Sequence, residues 1–281
     1  TANFARTATD CPAPDLDMYM AQLEAIYVYP IKSLGGLSVE TAQVGPGGSL
    51  EHDRQYAMVD ADGEYVNGKR TPAVHRVDVD FDPSGTIVML SNGADTARFD
   101  LERERNRAQA WLDERFDPEI ELISDDGLGF PDDTIDFGPT VVSTGTLAVV
   151  AGWFDEIDGP EEMRRRLRPN LVVDAEPFWE DRLYAGSDSS VRFDVGSVAF
   201  EGHGPCQRCV VPSRDPDTGD ETERFRARFV QKRRETFPSW AADERFDHYY
   251  RVMANTRIPE KSRGERVSVG REVVIRDTVD R

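Results

Sequence analysis

The stretch Gly204-Pro205-Cys206-Gln207-Arg208-Cys209-Val210-Val211-Pro212-Ser213-Arg214-Asp215-Pro216-Asp217-Thr218-Gly219 holds two of the chain's three cysteines, spaced C-x-x-C with an arginine between them. It then enters a polar Asp-Pro-Asp-Thr-Gly turn. A thiolate, not a thiol, ligates metals and attacks electrophiles, and a neighbouring cation favours that form. Arg208 supplies such a cation beside Cys209. Four readings compete. Structural zinc needs four ligands, and only His203 and the distant Cys11 could add to the pair. A thioredoxin-like dithiol would open a helix in a βαβ unit. Here a strand-like run over 191–200 leads into the pair and Pro212 follows it, which is the wrong context. The plain alternative is two small buried hydrophobes without chemistry. The fourth reading is a single thiolate on a soft transition metal such as molybdenum. Spacing alone does not choose between the last two.

Composition bounds the other possibilities. The 281 residues suit two modest domains. Net charge is −19, from 53 acidic against 34 basic residues, and lysine stands only at 32, 69, 232 and 261. Such a surface argues against nucleic acid, whose phosphates call for a basic footprint. Acid excess with scarce lysine suggests a protein that stays hydrated in concentrated salt, so a halophilic cytoplasm is the expectation. Three cysteines make no disulfide framework. No apolar run approaches the ~20 residues of a membrane span. The polar start, 1–17, resembles neither a signal nor a transit peptide.

Along the chain, strand-like runs at 23–31, 37–44, 55–59, 77–81, 86–90 and 119–123 alternate with Gly/Pro turns, which suggests barrel or sandwich architecture. Segment 101–116 is the exception. Leu101, Ala108, Trp111 and Leu112 fall on one side of it, as in a packed helix. The Gly/Pro/Asp-rich segment 126–139 reads as a connection between domains. Ser143-Thr144-Gly145-Thr146 resembles a helix N-cap opening 147–154. Pro160-Glu161-Glu162 starts a further helix, whose Arg164, Arg165 and Arg166 complement the dipole at its end. Segment 221–234 carries Phe225, Phe229 and Val230 at helical spacing, a solvated helix with a packing stripe.

The segment Cys206-Gln207-Arg208-Cys209, followed by Asp215-Pro216-Asp217-Thr218-Gly219, resembles the signature of the MOSC domain, the molybdenum-cofactor sulfurase C-terminal domain. Within it the chain is similar to the mitochondrial amidoxime-reducing component and its bacterial relatives. Arg168-Pro169-Asn170 before the apolar 171–173, and Pro177-Phe178-Trp179-Glu180-Asp181, match the family pattern. Tyr29-Pro30-Ile31-Lys32-Ser33, with Asp53-Arg54 after it, resembles the N-terminal β-barrel domain that precedes it. The end, 267–275, resembles the closing strand pair of the MOSC barrel. A small residue often precedes the arginine in relatives, where this chain has Gln207.

The resemblance implies a mainly β (α+β) fold: a tail over 1–20, an N-terminal β-barrel-like domain over 21–125, and a MOSC β-barrel domain with peripheral helices over 126–281. It implies Cys209 as catalytic residue and metal ligand of a molybdenum–molybdopterin cofactor, with Cys206 a secondary or structural thiol. Lys32, Ser33, Arg54, Arg70, Ser143, Arg168, Asn170, Gln207, Arg208 and Tyr249 would hold the pterin and its phosphate. Arginine can clamp a phosphate with parallel hydrogen bonds, and asparagine can meet a pterin edge. The implied activity is reduction of small N-hydroxylated compounds such as amidoximes. Neither the relatives' membrane anchor nor a cysteine-rich ferredoxin module is seen. A cytoplasmic enzyme is therefore expected, taking electrons from a separate ferredoxin-like, cytochrome or flavoprotein donor. The rival implication is a non-catalytic sulfur or cofactor carrier with a persulfide on Cys209.

Overall fold

A computed structural model of the chain describes residues 21–82, 84–117, 119–132 and 138–280. The expected tail and Cys11 lie outside the described residues, as does part of the 126–139 connection. In chain order the strands are β1 Gln22–Val28, β2 Leu37–Val39, β3 Thr41–Gln43, β4 Tyr56–Val59, β5 Asp78–Phe81, β6 Ile87–Asn92, β7 Asp95–Asp100, β8 Glu121–Ser124, β9 Val141–Ser143, β10 Leu171–Asp174, β11 Ser189–Val195, β12 Val198–Gln207, β13 Arg251–Arg257, β14 Arg266–Ser268 and β15 Val273–Asp280. The helices are α1 Arg105–Asp113, α2 Thr144–Ala151, α3 Gly159–Leu167 and α4 Phe225–Glu235. The fold is mainly β with peripheral helices.

One eight-stranded sheet runs in the order β15-β11-β12-β13-β9-β10-β1-β2. All its pairings are antiparallel except β9 with β10. The sheet curls until the start of β1 meets the residues ahead of β15. Gln22 bridges Glu272, and Leu23 N donates to Arg271 O at 2.8 Å. That junction is an isolated bridge rather than a ladder. β1 and β2 thus sit in the sheet of the second half, and β3 pairs with β14. Strand pairing crosses the expected boundary at 125/126. The first half completes itself with the pair β4-β8 and the sheet β5-β6-β7.

Several elements follow from local chemistry. Ser143 Oγ accepts from Thr146 N and caps α2. α3 has Pro160 in its first turn with Glu161 and Glu162, and ends on Arg168 in the left-handed region, φ 57°. α1 buries Ala108, Trp111 and Leu112. In α4 the buried stripe is Phe225, Phe229 and Arg233 rather than one that includes Val230. The charged Arg233 is fully enclosed, paired with Asp181 and lying 4.2 Å over the Phe178 ring. Run 191–200 is not one strand. It turns at Gly196 (φ 60°), and Phe193 then stacks on its cross-strand partner Phe200 at 5.1 Å. The two strands at the end, β14 and β15, do not pair with each other; β14 pairs β3 and β15 pairs β11.

Candidate functional site

Between the two halves lies a cavity of about 620 Å³. The end of β1 and the turn after it supply Tyr29, Lys32 and Ser33, and the turn before β4 supplies Arg54. The end of α3 supplies Arg168 and Asn170, and β12 with the following loop supplies Gln207, Arg208 and Cys209. Eight of the eleven residues expected from the sequence are therefore brought together. Three stand elsewhere. Ser143 is fully buried at the α2 cap, where its hydroxyl accepts from Thr146 N and has Glu176 O and Thr146 Oγ1 each at 2.9 Å for its one proton, so its hydrogen bonds are made away from the cavity. Arg70 is half-exposed and pairs with Asp60 at 2.8 Å. Tyr249 donates to Asp243 Oδ1 at 2.8 Å and packs on Phe237 and Phe246. Its neighbour Tyr250 is the tyrosine at the cysteine loop: it is buried, and its hydroxyl donates to Cys209 O at 3.0 Å. Burial pushes its phenol up to about 12.

The cations differ in how fully they are paired. Lys32 Nζ donates to Phe130 O, Pro131 O and Asp132 Oδ1, each at 2.9 Å, which uses all three of its protons. Arg54 is held by Asp53 and, through Nε at 3.1 Å, by Asp132. Arg168 and Arg208 are under-partnered. Arg168 Nη2 and Arg208 Nε are buried and lack a hydrogen-bond partner. Burial pulls the Arg168 guanidinium below its usual pKa, and nearby Arg54 adds to that. Donors enclosed without acceptors are costly, so they fit an anionic ligand group.

Arg208 lies near both cysteines, as the sequence suggests, but its hydrogen bond goes to Cys206. Its Nη1 donates to Cys206 Sγ at 3.1 Å, and its Nη2 to Leu167 O at 2.8 Å. Residues two apart on an extended backbone face the same side, which favours position 206 over 209. Cys206 and Cys209 are both free thiols lining the cavity. The pair lies at the end of β12 rather than at a helix start, the wrong setting for a thioredoxin-like dithiol. Among the described residues, no three His, Cys, Asp or Glu side chains group as a metal site.

Other lining residues escaped the sequence. His75 Nε2 is buried and unpartnered, and burial, with Arg168 and Arg214 nearby, pushes the ring down to about 4. The arginines ending α3 do more than complement a dipole. Arg166 is buried and donates to Glu162, Pro212 O and Thr222, which ties α3 to the loop after Cys209. Arg165 pairs with Asp217 of the same loop. Tyr29 joins the two halves from within: Arg54 lies 5.2 Å and Arg168 4.2 Å from its ring centre, and its hydroxyl donates to Pro169 O.

Two family descriptions match this chain: "MOSC N-terminal beta barrel domain" over residues 20–118 and "MOSC domain" over 140–274. The chain belongs to the MOSC family. MOSC domains are associated with molybdenum-cofactor sulfurase-like and cofactor-binding proteins. No match was found among curated proteins. Among solved structures, the YUAD protein from Bacillus subtilis aligns over 91% of this chain and 95% of its own, with 12% identity and a TM-score of 0.40. A likeness at that level adds nothing to the argument. No helix among the described residues of this MOSC protein is long and apolar enough to cross a membrane. The donor set suits the cofactor: soft sulfur from two cysteines, and buried guanidinium N–H groups with no acceptor of their own.

Proposed function

We propose that this MOSC protein is a molybdenum-cofactor-dependent oxidoreductase that reduces N-hydroxylated compounds with electrons from a separate donor protein. One observation carries the reading: two free thiols share a single cavity with guanidinium donors that have no acceptor, Arg168 Nη2 and Arg208 Nε. Cys209 would ligate the metal. Arg168 and Arg208 would meet the anionic and pterin parts, and Ser33 and Gln207 would line the same space. The bound molybdenum centre would supply two-electron oxygen-atom chemistry. Overall, an N–OH group, two electrons and two protons give N–H and water. The chain's own work is to orient, to exclude water and to offer donors. The exposed Tyr65 and the more exposed Leu128 line the same cavity and suit a substrate with an apolar body.

The test is elemental analysis of protein made in a host that synthesises the cofactor, followed by amidoxime reduction with a chemically reduced donor. The expected result is about one molybdenum per chain, turnover, and loss of both in Cys209→Ser. Cys206→Ser should keep substantial metal. Equal loss in the two variants removes the ligand assignment. Sulfane sulfur on Cys209 without molybdenum would make the protein a carrier instead.

A further inference from the structure

We propose that Asp132 is an internal competitor for the anion position between Lys32 and Arg54, and that a phosphate-type group gains this position by turning the Asp132 carboxylate out to solvent. The inference rests on the reading that the cavity takes an anionic, phosphate-bearing ligand. It adds a residue of this chain that sets which anions succeed.

Lys32 and Arg54 are both only 7% exposed, and Asp53, the nearer counter-charge, is 9% exposed. Asp53 is also committed to the backbone, because Oδ1 accepts from Tyr29 N at 2.9 Å. Two enclosed cations therefore face one enclosed carboxylate, and the second negative charge comes from Asp132. That side chain is 61% exposed. It reaches both cations: Oδ1 lies 2.9 Å from Lys32 Nζ, and Oδ2 lies 3.1 Å from Arg54 Nε. A buried cation without a counter-charge is costly; Asp132 keeps solvent access, yet against the burial that opposes its charge Arg54 and Lys32 hold its carboxyl well below the usual carboxylate range, so it leaves only for an anion that replaces both contacts. Of the four charges, Asp132 is thus the one that can be exchanged.

The backbone around it is built to stay. Phe130 N donates to Arg54 O at 2.8 Å, and its ring meets Tyr65 edge-on at 6.2 Å. Gly129 adopts φ 66°, and a side chain there would come within 2.9 Å of Arg54 O, so the segment lies flat on the Asp53-Arg54 turn. The carbonyls of Phe130 and Pro131 fix two of the three Lys32 protons. The third points at the exchangeable carboxylate. Exchange would thus displace the Asp132 side chain and leave these backbone contacts in place. A dianionic phosphate outcompetes a single carboxylate for two cations, while monoanions such as acetate gain little over Asp132 itself.

The experiment is calorimetric titration of inorganic pyrophosphate into metal-free wild type, Asp132→Asn, Asp132→Ala and Lys32→Met at low ionic strength. Wild type should bind weakly. Both Asp132 variants should bind about tenfold tighter, the penalty removed when a competitor that holds the site in roughly nine molecules of ten is lost. Lys32→Met should abolish the gain. As a second measurement, Asp132→Asn should melt below wild type without pyrophosphate and recover with it, by linkage. Equal or weaker binding in the Asp132 variants, with binding still lost in Lys32→Met, overturns the competitor role and leaves the anion site standing. No binding in any protein overturns both.

Discussion

Asn170 separates two meanings of a site residue, and one substitution tests which applies. Its side chain is 2% exposed and already occupied. Nδ2 donates to Tyr27 O at 3.1 Å, and Oδ1 accepts from Thr140 N at 3.2 Å and Thr140 Oγ1 at 3.3 Å. It braces β1 against the entry to β9. Asn170→Leu keeps the branched four-atom skeleton, so no cavity arises, but its methyls are bulkier than the amide atoms and it strands the Thr140 N–H and the Tyr27 carbonyl. An unpaired buried group costs about 1–3 kcal/mol. With some water reaching both, the sum is roughly 2–4 kcal/mol, or about 5–15 °C in Tm for a chain of this size. The comparison is Arg168→Asn, which keeps a residue tolerant of the left-handed cap and removes an under-partnered cation together with its contact to the Tyr29 ring. It should melt within about 1 kcal/mol of wild type. Thermal and urea melts of both variants as metal-free protein decide the matter. If Asn170→Leu melts with wild type, or Arg168→Asn falls as far as Asn170→Leu, the division into brace and ligand donor is wrong.

Two buried groups titrate in the acid range with opposite signs. His75 is held down to about 4 against an ordinary 6.5, so between those values the unfolded chain binds a proton that the native one refuses, and stability rises with pH. Burial, then the neighbouring Asp181, pushes Glu180 up to about 7 from 4.5, so there the native state holds the extra proton and stability falls with rising pH. Urea midpoints from pH 4 to 7 should lose the rising component in His75→Gln and the falling one in Glu180→Gln; curves parallel to wild type would contradict the assignments. The charge of −19 leads us to propose salt dependence, with Tm climbing from low to multimolar KCl; a flat profile removes the halophilic reading. Gly202→Ala should block folding, because the added carbon would lie 1.5 Å from Leu183 O; soluble protein melting like wild type would refute that close contact.

What the sequence disclosed follows from how local each signal is. The cap at Ser143, the proline and acids opening α3, and the apolar face of α1 are set within a few residues, and each appears where local chemistry puts it. The β-rich class and the family motif were legible for the same reason. Arg233 was not legible, since only Asp181, 52 positions away, and the rings of Phe178, Phe237 and Phe246 make burying an arginine tolerable. The strand break at Gly196 hid in a run apolar on both sides of it. At the site, the family resemblance led to Lys32, Arg54, Arg168 and Cys209, all of which line the cavity. It could not lead to His75 or Asp132, which reach the cavity through long-range packing and belong to no motif. Tyr249, in the bend before β13, packs on an outer aromatic cluster, whereas its neighbour Tyr250 reaches the cysteine loop, a difference that only the tertiary fold displays.

The backbone supplies an independent reason to regard the cavity as the working part of this fold. Among the described residues seven non-glycines adopt positive φ, and four of them, Ser33, Arg54, Arg168 and Met253, line the cavity. Each such conformation costs of order 1 kcal/mol and persists only where surrounding contacts over-determine it. At Arg54 those contacts are Asp53, Asp132 and Tyr29; at Arg168 they are the α3 cap and the same Tyr29 ring. Two of the four, Arg54 and Arg168, are cations that approach the one Tyr29 ring from opposite halves of the chain. A cavity left over from imperfect packing would have no reason to collect them. At Arg54 and Arg168 the strained backbone holds two like charges on one ring, an arrangement that suits an anion.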